Sequence, residues 1–295
     1  MRTWWLVMLA TATVAQAQNP QAAKPKAKLD ELLGQLVTGN PPDLEPAKLV
    51  FREHEVITAP TLHSLTNGYR PDKLVIATGA NKSIAWTAMD LTAISECIEA
   101  PLPKDAMGDP IMCVKGKTFM IDGIPHVATG QVRHATGLFE KTATTWRPIV
   151  WHQASPIADK ELAQAIKTTV LDKLPRTIDG AEAVVAQFQA TIGKSATLAA
   201  TISDRSDVVM YGSQQTERYV GGAAVKKQLG AWNLTFAVRD GIVAGLAGTS
   251  VAWVAANVNA TAGKSTVPYR LLAIYEQTAG VWKIVQLHFS FPNYQ

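Results

Sequence analysis

One pattern occurs twice in this chain, and it limits the possible folds more than any other feature. Thr145–Ala154 reads TWRPIVWHQA and Val281–Ser290 reads VWKIVQLHFS. Both place Trp second, a basic residue third and His eighth. Without gaps, Phe139 falls on Tyr275, Glu140 on Glu276, Trp146 on Trp282 and His152 on His288. A second match precedes it in the same order, Val75–Leu91 on Ile242–Val258, with Trp86 on Trp253. The offsets differ by 31 residues, so the first copy carries an insertion of that size before its final hairpin. Collinear matches at this spacing are the signature of a module written twice.

Local patterns give each copy the same plan. VPYRLLAIYE and VWKIVQLHFS are β-rich runs joined by QTAG, a hairpin signal. LTFAVRD, Gly241 and IVAGLA read as strand, turn and strand, with TSVAWVAANVNA as a further strand. Ahead of this meander, Leu162, Ile166, Val170 and Leu174 lie four apart, which predicts a helix over 159–174 stopped by Pro175. DGAEAVVAQFQATIG predicts a second helix, capped by Asp179 and ended by Gly193, and GGAAVKKQLGAW a short third. The result is an α+β cone, helices first, then a bent antiparallel sheet whose concave side they cover. LDELLGQLV is helical in the first copy, but 41–69 is short and broken by Pro, so that copy is degenerate.

The ends and the charge restrict function. Arg2, the apolar run Trp4–Val14 and Ala15-Gln16-Ala17 form a signal peptide cleaved after Ala17, which predicts a periplasmic or secreted protein. No Cys follows for a lipid anchor, and no later segment suits a membrane helix. Residues 18–28 lack large apolar side chains and read as a flexible tether. Of the 28 basic residues, Arg2, Lys24, Lys26 and Lys28 lie in the first 28 positions, which hold no acid, so the remainder carries 24 charges of each sign. A neutral body offers nucleic acid no clustered positive field. Cys97 and Cys113 bracket part of the insertion and, in an exported chain, predict a disulfide. The domain reading is 29–156 for the first module, with its insertion, and 157–295 for the second.

RDGIVAGLAGTSVAWVAANV, VPYRLLAIYEQTAGVWKIVQLHFS and the upstream VVMYGSQQTERYVGG resemble the SnoaL-like branch of the nuclear transport factor 2 (NTF2-like) superfamily. The likeness covers 157–292 well and about 72–156 in degenerate form. It implies tandem cones and frequent dimers. It does not imply catalysis, because the branch mixes isomerases, cyclases, dehydratases, ligand binders and assembly modules.

Strand parity sorts the candidate site. Trp282, Ile284, Gln286, His288 and Ser290 share one face of the last strand, taken here as the pocket face. Trp253 shares a face with Asn257, and Glu217 lies near the early strand where this fold often places pocket residues. These residues, with Trp282 and Gln286, are the expected lining. His288 suits proton transfer or, alternatively, a structural role at a sheet or dimer surface. Tyr211 suits an oxyanion donor, and Asp240 either a base or a turn residue before Gly241. Trp146, Trp253 and Trp282 suit sheet packing. No phosphate loop, dinucleotide fingerprint or metal motif is present, so neither cofactor nor metal is expected.

Three functions remain open. The first is binding of a small apolar or amphipathic ligand, or a protein partner, through the second cone, with the first copy as scaffolding. The second is an isomerase, cyclase or hydratase using His288 with Tyr211 or Asp240. The third is an assembly module in which the two units pair sheet to sheet as an internal pseudo-dimer, replacing a homodimer.

Overall fold

A computed structural model describes residues 28–34, 44–62, 66–80, 82–98, 111–121, 123–143, 145–168 and 171–292. The expected signal peptide, and the tether up to residue 27, lie outside them.

Two seven-stranded sheets dominate. The first comprises β1 (Leu49–Arg52), β2 (Glu55–Thr58), β3 (Tyr69–Thr78), β4 (Ile84–Glu96), β5 (Thr118–Ile121), β6 (Ile124–Lys141) and β7 (Trp146–Ala154). Its order is β2-β1-β7-β6-β4-β3, with β5 paired to β6. The second comprises β8 (Thr177–Asp179), β9 (Val209–Tyr211), β10 (Arg218–Val220), β11 (Thr235–Ala247), β12 (Val251–Ala262), β13 (Ser265–Thr278) and β14 (Val281–Ser290). Its order is β10-β9-β14-β13-β12-β11-β8. A parallel pair sits at the same place in each: Phe51 faces His152 and Tyr211 faces His288.

The registers run in step. Arg133 opposes Leu91 and Tyr269 opposes Val258; Gln153 opposes Ala135 and Phe289 opposes Leu271. Two irregularities recur in both sheets; that in the last hairpin matches, and that in the first ladder differs by one residue. The β3–β4 ladder slips between Asp72 and Val75, and β11–β12 slips between Val238 and Ile242. The β6–β7 ladder slips between Leu138 and Phe139, and β13–β14 slips between Ile274 and Tyr275.

These bulges correct two expectations. An extra residue in one strand reverses parity beyond it. Trp282 and Ile284 therefore pack on the helix side, whereas Gln286, His288 and Ser290 face the other sheet. And Asp240–Gly241 is not a turn: β11 runs through it as a bulged strand. Gly241 is needed there for close approach, since a Cβ would lie 2.4 Å from the Leu174 carbonyl.

Each sheet has a helix side and a seam side. On the second, α3 (Glu182–Thr191), α4 (Ser195–Ala200) and α5 (Gly222–Trp232) bury Val184, Phe188, Leu198, Val225 and Leu229 against Val254, Ala256, Leu271 and Tyr275. Residue Asn233, left-handed at φ 49°, ends α5. On the first, α1 (Leu29–Gly34) supplies Leu29 and Leu33 to a core with Met89, Phe139, Trp146 and Trp151. Trp146 and Trp282 thus occupy corresponding helix-side positions. The helix α2 (Asp159–Thr168) is shorter than expected. Leu171 and Leu174 are buried in irregular chain, and Leu174 joins the seam core. Asp179 lies in β8, and α3 starts at Ala181 without a side-chain cap.

The seam sides pack against each other. Trp86, Leu138 and Val150 of the first sheet meet Val251, Trp253, Leu272 and Ile274 of the second in one apolar core. Residues 84–91 and 251–258 are buried without interruption. That explains AWTAMDL and VAWVAANV, in which both alternating sets are largely small or apolar. The disulfide Cys97–Cys113 ties the insertion beside β4.

Candidate functional site

Polar residues in otherwise apolar strands gather at one end of this seam. His152 and His288 are fully buried, their rings stacked at 4.1 Å between centroids. They occupy corresponding places, each on the strand beside the parallel pair. A residue that touches its own counterpart marks a two-fold axis in a symmetric pair. His152 Nε2 lies 2.8 Å from the Ser290 hydroxyl, and the Nδ1 atoms of both rings are buried without a hydrogen-bond partner. Burial, then the Arg270 charge, holds His152 at about 3. Burial, then the neighbouring histidines, puts His288 well below the ordinary range. Both rings are neutral at pH 7.

Two unlike polar clusters flank the stack. In the first sheet, Asp90 receives His134 Nδ1 at 3.0 Å and Lys73 Nζ at 2.9 Å. Burial alone would raise the Asp90 carboxyl; the bonds and charges of His134 and Lys73 outweigh it and hold it at about 2. His134 Nε2 donates to the Gln214 carbonyl at 3.2 Å, and its ring stacks on Tyr211 at 4.3 Å. Both ring nitrogens thus lie against acceptors. In the second sheet, Asn257 replaces Asp90 and Arg270 replaces His134, by register, and Asp240 reaches Asn257 from the β11 bulge as Lys73 reaches Asp90 from the β3 bulge. Arg270 donates Nε to Asn257 at 3.2 Å, Nη1 to the Glu55 carbonyl at 2.8 Å and Nη2 to the Asp172 carbonyl at 3.1 Å. Its guanidinium lies 5.6 Å over Phe51, the counterpart of Tyr211. Burial lowers it to about 10, against the charge of Asp172.

The expected catalytic residues are therefore dispersed. His288 is in the stack. Tyr211 sits under His134, accepts from Arg218 at 3.3 Å, and is raised by burial and then by the Asp90 charge. Asp240 reaches the Asn257 amide at 3.5 Å. None of the three lines either cavity described below. Of the expected lining, Trp253, Asn257 and Gln286 lie in the seam, Gln286 donating to Thr136 at 3.3 Å. Trp282 packs on the helix-side core, and Glu217 does line a cavity.

That cavity, about 90 Å3, lies at the open end of the second sheet among Trp232, Phe236, Tyr269 and Phe289, with Glu217 at its rim. The Glu217 side chain lies against Gly212, where a Cβ would come 2.3 Å from its Oε2. A larger cleft, about 400 Å3, opens where the two sheets meet. Its walls include Tyr69, Arg133 and Ser155 on one side and Gln214, Gln215 and Thr216 on the other. Sequence reasoning missed it. The available signal was Arg133, which is polar where the corresponding position of the second sheet has Tyr269. Among the described residues there is no cluster of potential metal ligands and no helix long and apolar enough to cross a membrane.

Helices on one face of a bent antiparallel sheet define a mixed α/β, cone-type protein. Residues 182–294 match the family model for a SnoaL-like domain, and that match supports the SnoaL-like, NTF2-like superfamily for this segment. Similar solved structures include an NTF2-like protein from Pseudomonas putida KT2440, 16% identical, covering 37% of this chain and 82% of that one, TM-score 0.31. Another is an NTF2-like protein from Shewanella oneidensis MR-1, 13% identical, covering 37% and 97%, TM-score 0.30. A third, from Caulobacter vibrioides, has a cystatin-like fold, 15% identity, coverage of 39% and 90%, and TM-score 0.32. No curated protein matches the chain.

Proposed function

We propose that this chain is an exported binding protein built from two copies of one NTF2-like module, 29–156 and 157–295, locked together as an internal pseudo-dimer. Registers in step across the central strands and a matching bulge in the last hairpin support two copies. The observation that carries the reading is the His152–His288 stack. The residue best suited to proton transfer is neutral, fully buried and engaged in joining the modules, so binding is favoured over catalysis. The signal sequence up to Ala17 and the disulfide support a periplasmic or secreted location.

In this reading the second module offers the aromatic cavity bounded by Phe236, Tyr269 and Phe289 to the apolar end of a small amphipathic molecule. Glu217 faces the polar end. At about 90 Å3 it admits an end group rather than a whole drug-sized ligand, for which a few hundred Å3 is usual. The test is a thermal-shift screen of small amphipathic molecules on the secreted chain. Hits should stabilise the wild type and lose their effect in Tyr269→Ala. Hits that survive that change and vanish in His288→Phe would return the site to the seam and overturn this reading.

A further inference from the structure

The seam cleft is lined by an Arg whose Nε makes no hydrogen bond. Arg133 lies on β6 with its guanidinium 4.8 Å over the Tyr69 ring, and both line the cleft. Its Nε is buried and makes no hydrogen bond. Among the described residues its ionic contact is Glu53 Oε1 at 3.7 Å, beyond hydrogen-bond reach. That oxygen already receives the Ser155 N–H and the Ser155 hydroxyl, each at 2.8 Å. Burial raises the Glu53 carboxyl, against those bonds and the charges of Arg133 and Arg52. A buried guanidinium N–H without a hydrogen bond is costly unless something completes it.

The counterpart positions sharpen the point. Arg133 corresponds to Tyr269 and Tyr69 to Phe236, by register. One scaffold position thus carries an aromatic box at the end of the second sheet and a cation on an aromatic ring at the end of the first. The opposite wall is fixed, because the Gln214 carbonyl accepts from His134. It presents Gln215 and Thr216. The volume, about 400 Å3, falls in the range of small-molecule sites.

We infer that the seam cleft binds a small polar monocarboxylate. Arg133 grips the carboxylate through its fork of donors, the Tyr69 ring backs the guanidinium, and Gln215 and Thr216 meet the polar remainder. Glu161 also lines the cleft and repels a second carboxylate, which selects against di- and tricarboxylates. This inference stands apart from the aromatic cavity: Tyr269→Ala removes that cavity's wall and leaves Arg133 in place.

Isothermal titration of the intact protein with gluconate, lactate and N-acetylglycine, and with citrate and glucose as controls, tests it. At least one monocarboxylate should bind, citrate and glucose should not, and Arg133→Gln should weaken binding at least about tenfold. Glu161→Gln, at an exposed helix position, should tighten binding two- to threefold and does not depend on Arg133→Gln folding. No binding by any of the three monocarboxylates, equal affinity in Arg133→Gln, or an unchanged Kd in Glu161→Gln would overturn the proposal.

Discussion

The first sheet meets its neighbour with Asp90, His134 and Lys73, the second with Asn257, Arg270 and Asp240. The pairs Asp90–His134 and Asn257–Arg270 sit at the same register, and each triplet lays a cation or imidazole on an aromatic ring of the other sheet, Tyr211 or Phe51. The charges are nevertheless exchanged. In a homodimer one set of residues must serve both sides of the axis. Two halves on one chain are free to diverge, and the difference shows which solution each side reached. The first neutralises a buried carboxylate with His134 and Lys73. The second buries a cation and satisfies it with backbone carbonyls and an amide.

The two solutions should fail to different degrees. Arg270 is fully buried, and its removal strands the carbonyls of Glu55 and Asp172 and the Asn257 amide oxygen. Arg270→Leu should cost about 3–5 kcal/mol in urea unfolding. A cost below about 1 kcal/mol would show that the second cluster does not hold the seam. Reduction of Cys97–Cys113, which closes a loop of sequence separation 16, should cost about 3 kcal/mol. In hydrogen exchange the loss should fall on the first sheet alone. His134→Leu should cost less than Arg270→Leu, about 1–3 kcal/mol, because Lys73 still reaches Asp90.

Much of this was legible in the sequence. The repeat, the Trp pairs and the alternation in each strand specify the sheets, because burial on one side or both writes its period into the residues. Parity failed at Val285. A bulge depends on which partner residues pair, and one strand alone does not record that. His288 drew attention as a polar residue among apolar ones, yet its neighbours His134, His152 and Tyr211 lie on other strands. The polar residues of AWTAMDL and VAWVAANV, Asp90 and Asn257, had already marked the seam by standing at matching places. The length of α2 failed for another reason: Leu174 repeats the helical spacing but is buried through the seam core.

The narrowest test concerns pH, over the single unit from 6 to 5. His152 and His288 have folded-state values below the unfolded 6.5, so below pH 6.5 the unfolded chain binds protons that the folded chain does not. Stability therefore falls on acidification, from about pH 6.5 towards about 3 for His152, by up to about 1.4 kcal/mol per pH unit for each ring. Glu53 acts in the opposite sense. Its raised value lets the folded chain hold a proton that the unfolded chain releases. The slope of unfolding free energy between pH 6 and 5 should be positive and should shrink in His288→Phe. An unchanged slope would mean that this ring is hydrated.

The most direct test of the paired-sheet account is an NMR experiment with ring-labelled histidine. Rings stacked at 4.1 Å should give a strong cross-relaxation peak between His152 and His288 that disappears in His152→Phe, with neither resonance titrating between pH 5 and 8. Two histidines that titrate freely near pH 6.5 with no peak between them would contradict it.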